Sequence, residues 1–237
     1  MILTTDFRTH ILPGIDDGSL SVTESVKMIE QERDQGITTI ILTPHFYGQQ
    51  MHPDVFLQNR QKALDLLMKG LKDVENPPRL IAGAEVSFCA GMSKWEQLDK
   101  LTVGNSKYII IEMPFIRWSD SMYKELESIR KDRGLIPVIP HIERYLTRTF
   151  FSDQLKRLSK IPVFLQANCN LFNRITTRHI ALKLLKQQHI HFLGSDCHGS
   201  RWRAPNIAQA RKIILKKADK KTIVYLREME RFVFRTK

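Results

Sequence analysis

Seven short apolar runs alternate with stretches of helical periodicity along the chain, and this alternation restricts the fold more than any other feature. The runs are Ile2–Phe7, Thr38–Thr43, Arg79–Val86, Tyr108–Ile111, Ile136–Ile139, Pro162–Gln166 and Ile190–Leu193. They are rich in β-branched residues, and Pro, Gly or Asn close most of them. Between them lie helical segments. The first opens on Ser21-Val22-Thr23-Glu24, a capping box, and stops at Gly36. Others are expected over Pro53–Val74, around Lys94–Lys100, over Ser119–Arg133 and over Thr177–Gln188, with two basic amphipathic helices after about Pro205. Alternating β and α over this length implies an α/β fold on a parallel sheet, open or closed. In such folds the functional site lies at the C-terminal ends of the strands.

Those ends carry an unusual set of residues. In order they are Arg8 and His10, His45, Glu85, Glu112, His141, Asn168, and Asp196 with His198. Nearly all are imidazole or carboxylate, the donor set of Mn, Fe or Zn. The first loop is the densest, with His10, Asp16, Asp17 and the bending residues Pro13, Gly14 and Gly18 in a few positions. Several carboxylates imply more than one ion, because carboxylates bridge. A cluster of two or three ions suits in-line phosphoester hydrolysis. Arg144 and Arg203 follow ligand positions closely, and guanidinium is a natural fork for phosphate oxygens; Arg201 is a weaker competitor. His52, His179, His189 and His191 lie away from strand ends and read as structural or solvent-exposed, whereas Trp118 and Trp202 are placed to wall a cleft.

Composition narrows the alternatives. The 237 residues suit one domain, 1–237, with 42% hydrophobic and 26% charged residues as in ordinary soluble proteins. No apolar run reaches the roughly 20 residues of a membrane span, and the first residues do not read as a signal peptide. Cys89, Cys169 and Cys197 form no CxxC pair, which argues for a reducing, cytoplasmic setting. The net charge of +12 could attract nucleic acid, anionic lipid or a phosphorylated substrate. The basic residues are spread along helices without a nucleic-acid signature, so specific nucleic-acid binding is not expected.

The motifs His10-Ile11-Leu12-Pro13-Gly14-Ile15-Asp16-Asp17-Gly18, Thr43-Pro44-His45, Gly83-Ala84-Glu85, Pro140-His141-Ile142-Glu143-Arg144-Tyr145 and Gly194-Ser195-Asp196-Cys197-His198 closely resemble the PHP (polymerase and histidinol phosphatase) superfamily. The first run looks like that of the bacterial capsule and exopolysaccharide protein tyrosine phosphatases. The resemblance implies a distorted (β/α)7 barrel holding up to three divalent ions, manganese first and iron, zinc or magnesium as alternatives. It implies His10, Asp17, His45, Glu85, Glu112, His141, Asp196 and His198 as ligands, with Arg144 and Arg203 gripping phosphate. The implied reaction is attack of a metal-activated hydroxide on phosphotyrosine. The implied substrate is the tyrosine-rich tail of a bacterial tyrosine kinase of polysaccharide biosynthesis. The enzyme would then be cytoplasmic and peripheral to the membrane through that kinase. A phosphatase of a small phosphomonoester such as histidinol phosphate is the alternative.

The chain departs from the family pattern at one position. Where His-x-His is expected, it has Arg8-Thr9-His10. An arginine stays protonated and cannot ligate a metal. Three outcomes stay open from the sequence: a cluster with fewer ions that works slowly, an Arg8 turned toward Asp or Glu as a stand-in cation, or a weakened or non-catalytic relative.

Overall fold

Each apolar run forms parallel strand; the third run is split in two, and a short extra strand follows the second. In the computed structural model, residues 2–145, 149 and 151–234 are described, with side chains up to 231. The strands are β1 (Thr5–Thr9), β2 (Thr39–Leu42), β3 (His45–Phe46), β4 (Arg79–Ala82), β5 (Glu85–Ser87), β6 (Tyr108–Glu112), β7 (Ile136–Ile139), β8 (Phe164–Asn168) and β9 (Phe192–Gly194). Thr43-Pro44 divides β2 from β3, and Gly83-Ala84 divides β4 from β5. Proline has no N–H to give a ladder.

Every recorded pairing is parallel. β1 pairs with β2 and β2 with β4; β3 pairs with β5, and the order then runs β6, β7, β8, β9. The two sheets are joined because β2–β3 and β4–β5 are continuous stretches of chain. Past β9 the backbone returns to β1: Asp196 N–H donates to the Arg8 carbonyl at 3.1 Å and His10 N–H to the Cys197 carbonyl at 3.0 Å. Seven runs thus curl into a distorted (β/α)7 barrel. A small apolar cluster fills its interior, with Phe7, Ile41, Ile81, Tyr108, Ile110, Val138 and Phe192 from six of the runs. Phe7 stacks on Phe192 at 4.0 Å.

Helices cover the outside. They are α1 (Val22–Asp34), α2 (Pro53–Gly70), α3 (Asp120–Asp132), α4 (Ile142–Tyr145), α5 (Phe151–Leu158), α6 (Asn170–Asn173), α7 (Ile175–Lys186), α8 (Ile207–Lys217) and α9 (Lys220–Phe234). They bury their apolar stripes in a larger core cluster that includes Met28, Ile29, Leu67, Leu126, Ile129, Leu185 and Ile214. No helix among the described residues is long and apolar enough to cross a membrane.

Local differences from the sequence reading have physical causes. The helix expected over Lys94–Lys100 is two 3₁₀ turns, Met92–Lys94 and Leu98–Leu101. The helix expected to reach Val74 ends at Gly70. The capping box is half formed. The Ser21 hydroxyl accepts from Glu24 N–H, but the Glu24 carboxylate accepts from Ser200 N–H at 2.5 Å instead of turning back. The first strand begins and ends later than Ile2–Phe7, which places Arg8 inside β1 instead of beyond it. The β1–β2 register also shifts between Asp6 and Thr9, so three steps on β1 oppose two on β2. That bulge lets both Phe7 and Arg8 enter the barrel, Phe7 into the apolar interior and Arg8 at the mouth.

Candidate metal centre

The mouth of the barrel collects the strand-end residues. The loop after β1 folds back so that Ser19 N–H donates to the His10 carbonyl at 3.0 Å. Gly18 makes this approach possible, because a Cβ there would lie 2.1 Å from that carbonyl oxygen. Asp16 is then placed against His10, with Oδ2 at 2.7 Å from Nδ1. The same carboxylate accepts from Gly18 N–H at 3.0 Å and from His45 N–H at 3.1 Å. Burial pushes the Asp16 carboxyl up, but His10 and these two amides outweigh it and hold the group below its ordinary value. With Nδ1 engaged, His10 turns Nε2 into the mouth. That nitrogen is buried and has no hydrogen-bond partner among the described residues.

Four of the predicted ligands meet there. Donor atoms of His10, Asp17, His45 and His198 lie within 4.8 Å of one another. The Asp17 Oδ1 atom is 3.6 Å from His45 Nε2 and 3.5 Å from His198 Nε2. The rings of His45 and His198 flank that of His10 at 4.6 and 4.1 Å. Burial lowers His45 and His198, the latter to about 4 with His10 reinforcing the effect. Both rings are therefore neutral at pH 7, the form that ligates metal. A buried His10 nitrogen without a hydrogen bond, two neutral imidazoles and the exposed Asp17 carboxylate fit a divalent ion. A second grouping joins His45, Glu85 and Glu112. Burial and the neighbouring Glu85 push the Glu112 carboxyl upward.

The other predicted ligands, His141 and Asp196, are already engaged. His141 Nε2 is 3.1 Å from Glu85 Oε1, and Asn168 Nδ2 donates to Asp196 Oδ2 at 2.8 Å. Arg8 reaches the same two carboxylates. Its Nε and Nη2 are 2.7 and 2.5 Å from Glu85 Oε2, and Nη1 donates to Asp196 Oδ1. Its side chain is 1% exposed, so the pairing takes place away from water. Burial opposes charge on all three groups. Their mutual attraction wins: Arg8 is held above its ordinary value, and Glu85 and Asp196 are held well below theirs.

Both predicted phosphate-gripping arginines stand at the rim. Arg203 Nη2 donates to Asp196 Oδ2 at 2.5 Å, and Arg144 Nη1 to Glu112 Oε1 at 3.3 Å. His141, Asp196 and Arg203 all have positive φ, between 50° and 58°, a region that side chains seldom adopt. Three of the six non-glycine residues with positive φ among the described residues thus lie at the mouth. Beside it opens a cleft of about 410 Å³ lined by Asp16, Asp17, His45, Tyr47, Met51, Phe56 and Asn59. Tyr47 stacks on His45 at 5.6 Å and forms part of the wall.

The tryptophans expected to wall a cleft do not. Trp118 is buried against Tyr123 and Tyr145, and Trp202 is 80% exposed. The sequence reading also missed the role of Asp16. Two adjacent aspartates follow the same turn, and only the folded loop shows which one orients His10 and which one faces the donor cluster.

The molecule resembles several known proteins. A family model described as capsular polysaccharide synthesis, CpsB/CapC, matches residues 4–229. Tyrosine-protein phosphatase CpsB of Streptococcus agalactiae serotype III (strain NEM316) is 26% identical over 234 residues, covering 88% of each chain. Tyrosine-protein phosphatase YwqE of Bacillus subtilis (strain 168) is 29% identical over 209 residues, 84% of this chain and 78% of that one. A crystal structure from work on YwqE of Bacillus subtilis and CpsB of Streptococcus pneumoniae, described as metal-dependent tyrosine phosphatases, superposes with a TM-score of 0.82. It is 25% identical in sequence and covers 98% of this chain and 95% of that one.

Proposed function

The chain belongs to the CpsB/CapC family of capsular polysaccharide synthesis, and from that premise we propose that it is a metal-dependent protein tyrosine phosphatase. The observation that carries this reading is the convergence of His10, Asp17, His45 and His198 beside a cleft walled by Tyr47 and Met51. A divalent ion held there, manganese by preference, supplies a Lewis acid for the phosphoryl oxygens and lowers the pKa of water. The rest is the work of the chain. Asp16 fixes the His10 ring with Nε2 facing inward. Tyr47 flanks the space for an aryl ring. Arg203 and Arg144 present guanidinium groups whose remaining N–H donors have no partner among the described residues. Those donors suit the equatorial oxygens of a phosphoryl group in transfer.

The substrate we infer is phosphotyrosine on a protein, and its proposed source is the tail of a bacterial tyrosine kinase; membership of a capsular polysaccharide synthesis family supports a role in that process. A cytoplasmic setting agrees with three free cysteines. The purified chain should release phosphate from a phosphotyrosine peptide with added Mn²⁺, lose that activity in EDTA, and prefer the peptide to histidinol phosphate. No turnover of the peptide with Mn²⁺ present, or an undiminished rate in EDTA, rejects the reading.

A further inference from the structure

The guanidinium of Arg8 sits among groups that would otherwise attract a metal ion. All four oxygens of Glu85 and Asp196 are in contact with protein nitrogens. Glu85 Oε2 accepts from Arg8 at 2.7 Å, and Oε1 lies 3.1 Å from His141 Nε2. Asp196 Oδ1 accepts from Arg8, and Oδ2 from Asn168 and Arg203 at 2.8 and 2.5 Å. The neighbouring His10 Nε2 is 3.3 Å from Glu85 Oε2 and 3.7 Å from Asp196 Oδ1. One imidazole nitrogen and two carboxylate oxygens therefore surround a space that Arg8 fills from its own strand. A divalent ion at that point would stand beside a permanent positive charge in a buried, water-poor setting, where like charges repel strongly. The surroundings match the strand carrying Arg8. At Gly194 on β9, a Cβ would lie 3.0 Å from both the Arg8 Cβ and its backbone nitrogen, so a bare glycine lets β1 pass this close.

We propose that Arg8 is a resident cation in the place of one divalent ion. It neutralises Glu85 and Asp196, fixes both in position without metal, and leaves the mouth with one ion fewer than it would hold with an imidazole at position 8. The inference rests on the reading of the mouth as a metal centre. A cation on the open side would be held by His10, Asp17, His45 and His198.

The count of bound ions tests this independently of turnover. Wild type, Arg8→His, Arg8→Ala and Arg8→Lys are stripped with chelator and titrated with Mn²⁺ by calorimetry. Elemental analysis after gel filtration gives a second count. Arg8→His should bind one more Mn²⁺ per chain than wild type. Arg8→Ala opens the same space without supplying a ligand, and should take the extra ion 10- to 100-fold more weakly. Arg8→Lys keeps the charge and should keep the wild-type count. Equal counts in wild type, Arg8→His and Arg8→Ala overturn the proposal, as does an extra ion in Arg8→Lys. If Arg8→His does not fold, Arg8→Ala decides by the same count. An extra ion in Arg8→His with no hydrolysis of any aryl phosphate by wild type or variant would keep this inference and remove the phosphatase reading. Metal-dependent hydrolysis with equal counts would do the reverse.

Discussion

A methyl group added at Gly18 would lie 2.1 Å from the His10 carbonyl oxygen and 2.5 Å from the His10 Cβ. Both neighbours belong to a loop held by its own hydrogen bonds, so neither can give way cheaply. Gly18→Ala should lower stability by about 2–3 kcal/mol and weaken Mn²⁺ binding, and urea unfolding with a parallel titration measures both. Asp16 acts through His10. Asp16→Asn keeps the size but can no longer hold the ring with the same strength, and a 10- to 100-fold loss of Mn²⁺ affinity is expected. Calorimetry that finds wild-type affinity would remove Asp16 from the site. Behind β1, Asp6 and Glu32 form a buried carboxyl pair whose donor atoms lie within 4.8 Å of each other and of Cys197. Burial and then the Asp6 charge raise Glu32 well above its ordinary 4.5, so the folded state favours its protonated form. The folded state keeps that proton while the unfolded chain releases it above about pH 4.5, so the pair costs stability as pH rises. Glu32→Gln should match wild type within about 1 kcal/mol near pH 4 and exceed it increasingly toward pH 8. Parallel pH profiles of the two melting temperatures would refute this. None of Gly18, Asp16 or Glu32 could be given these roles from the sequence, because each depends on a contact between segments that are distant or folded back. Arg8 was different, since its departure from an expected imidazole was visible in one line of text, and only its destination was open.

At the scale of elements, the alternation of β and α was legible because its causes are local. β-Branched runs, a serine N-cap and glycine stops act within a few residues. The nine strands exceed the seven runs because Gly83-Ala84 splits the third run and a short strand, His45–Phe46, follows Thr43-Pro44. The placement of Arg8 was not legible, because it follows from a register shift between β1 and β2. Register depends on the partner strand, and neither strand contains it alone. The loop after β9 shows the same limit. Glu24 at the start of α1 looked like a local cap partner, yet it holds Ser200 N–H at 2.5 Å, three residues before Arg203. The first helix therefore steadies the loop that carries Arg203, the arginine proposed to grip phosphate. Glu24→Gln keeps the geometry but gives up the charge on that hydrogen bond. It should cost about 1 kcal/mol of stability and raise KM for a phosphotyrosine peptide with kcat little changed. A fall in kcat at constant KM would contradict this division of labour.

On the scale of the molecule, closing a seven-run barrel requires the first strand to be held at the seam beside the last, and the C-terminal helix does the holding. The Glu230 carboxylate on α9 accepts from the N–H groups of Leu3, Thr4 and Thr5 at 2.7, 2.8 and 3.0 Å. Three consecutive amides thus converge on one side chain more than two hundred residues away in the chain. The basic surface is a separate matter. Lys216, Lys217, Lys220 and Lys221 contribute to the +12 charge at the α8–α9 junction, while the mouth is rich in carboxylates. Net charge therefore said little about the site. The seam, by contrast, bears directly on it, because β1 carries Arg8 and leads into His10. Glu230→Ala would leave three partly buried donors unpaired, each costing about 1–3 kcal/mol if water cannot reach it. With some water entering, a loss of about 2–4 kcal/mol is expected. Glu230→Gln keeps an acceptor oxygen and should lose only about 1 kcal/mol. Hydrogen exchange should rise first at Leu3–Thr9 in the alanine variant, and Mn²⁺ affinity should fall with it although no ligand has been touched. If exchange at β1 stays at the wild-type level while stability falls, α9 stabilises the fold without guarding the seam, and the link from α9 to the proposed metal centre fails.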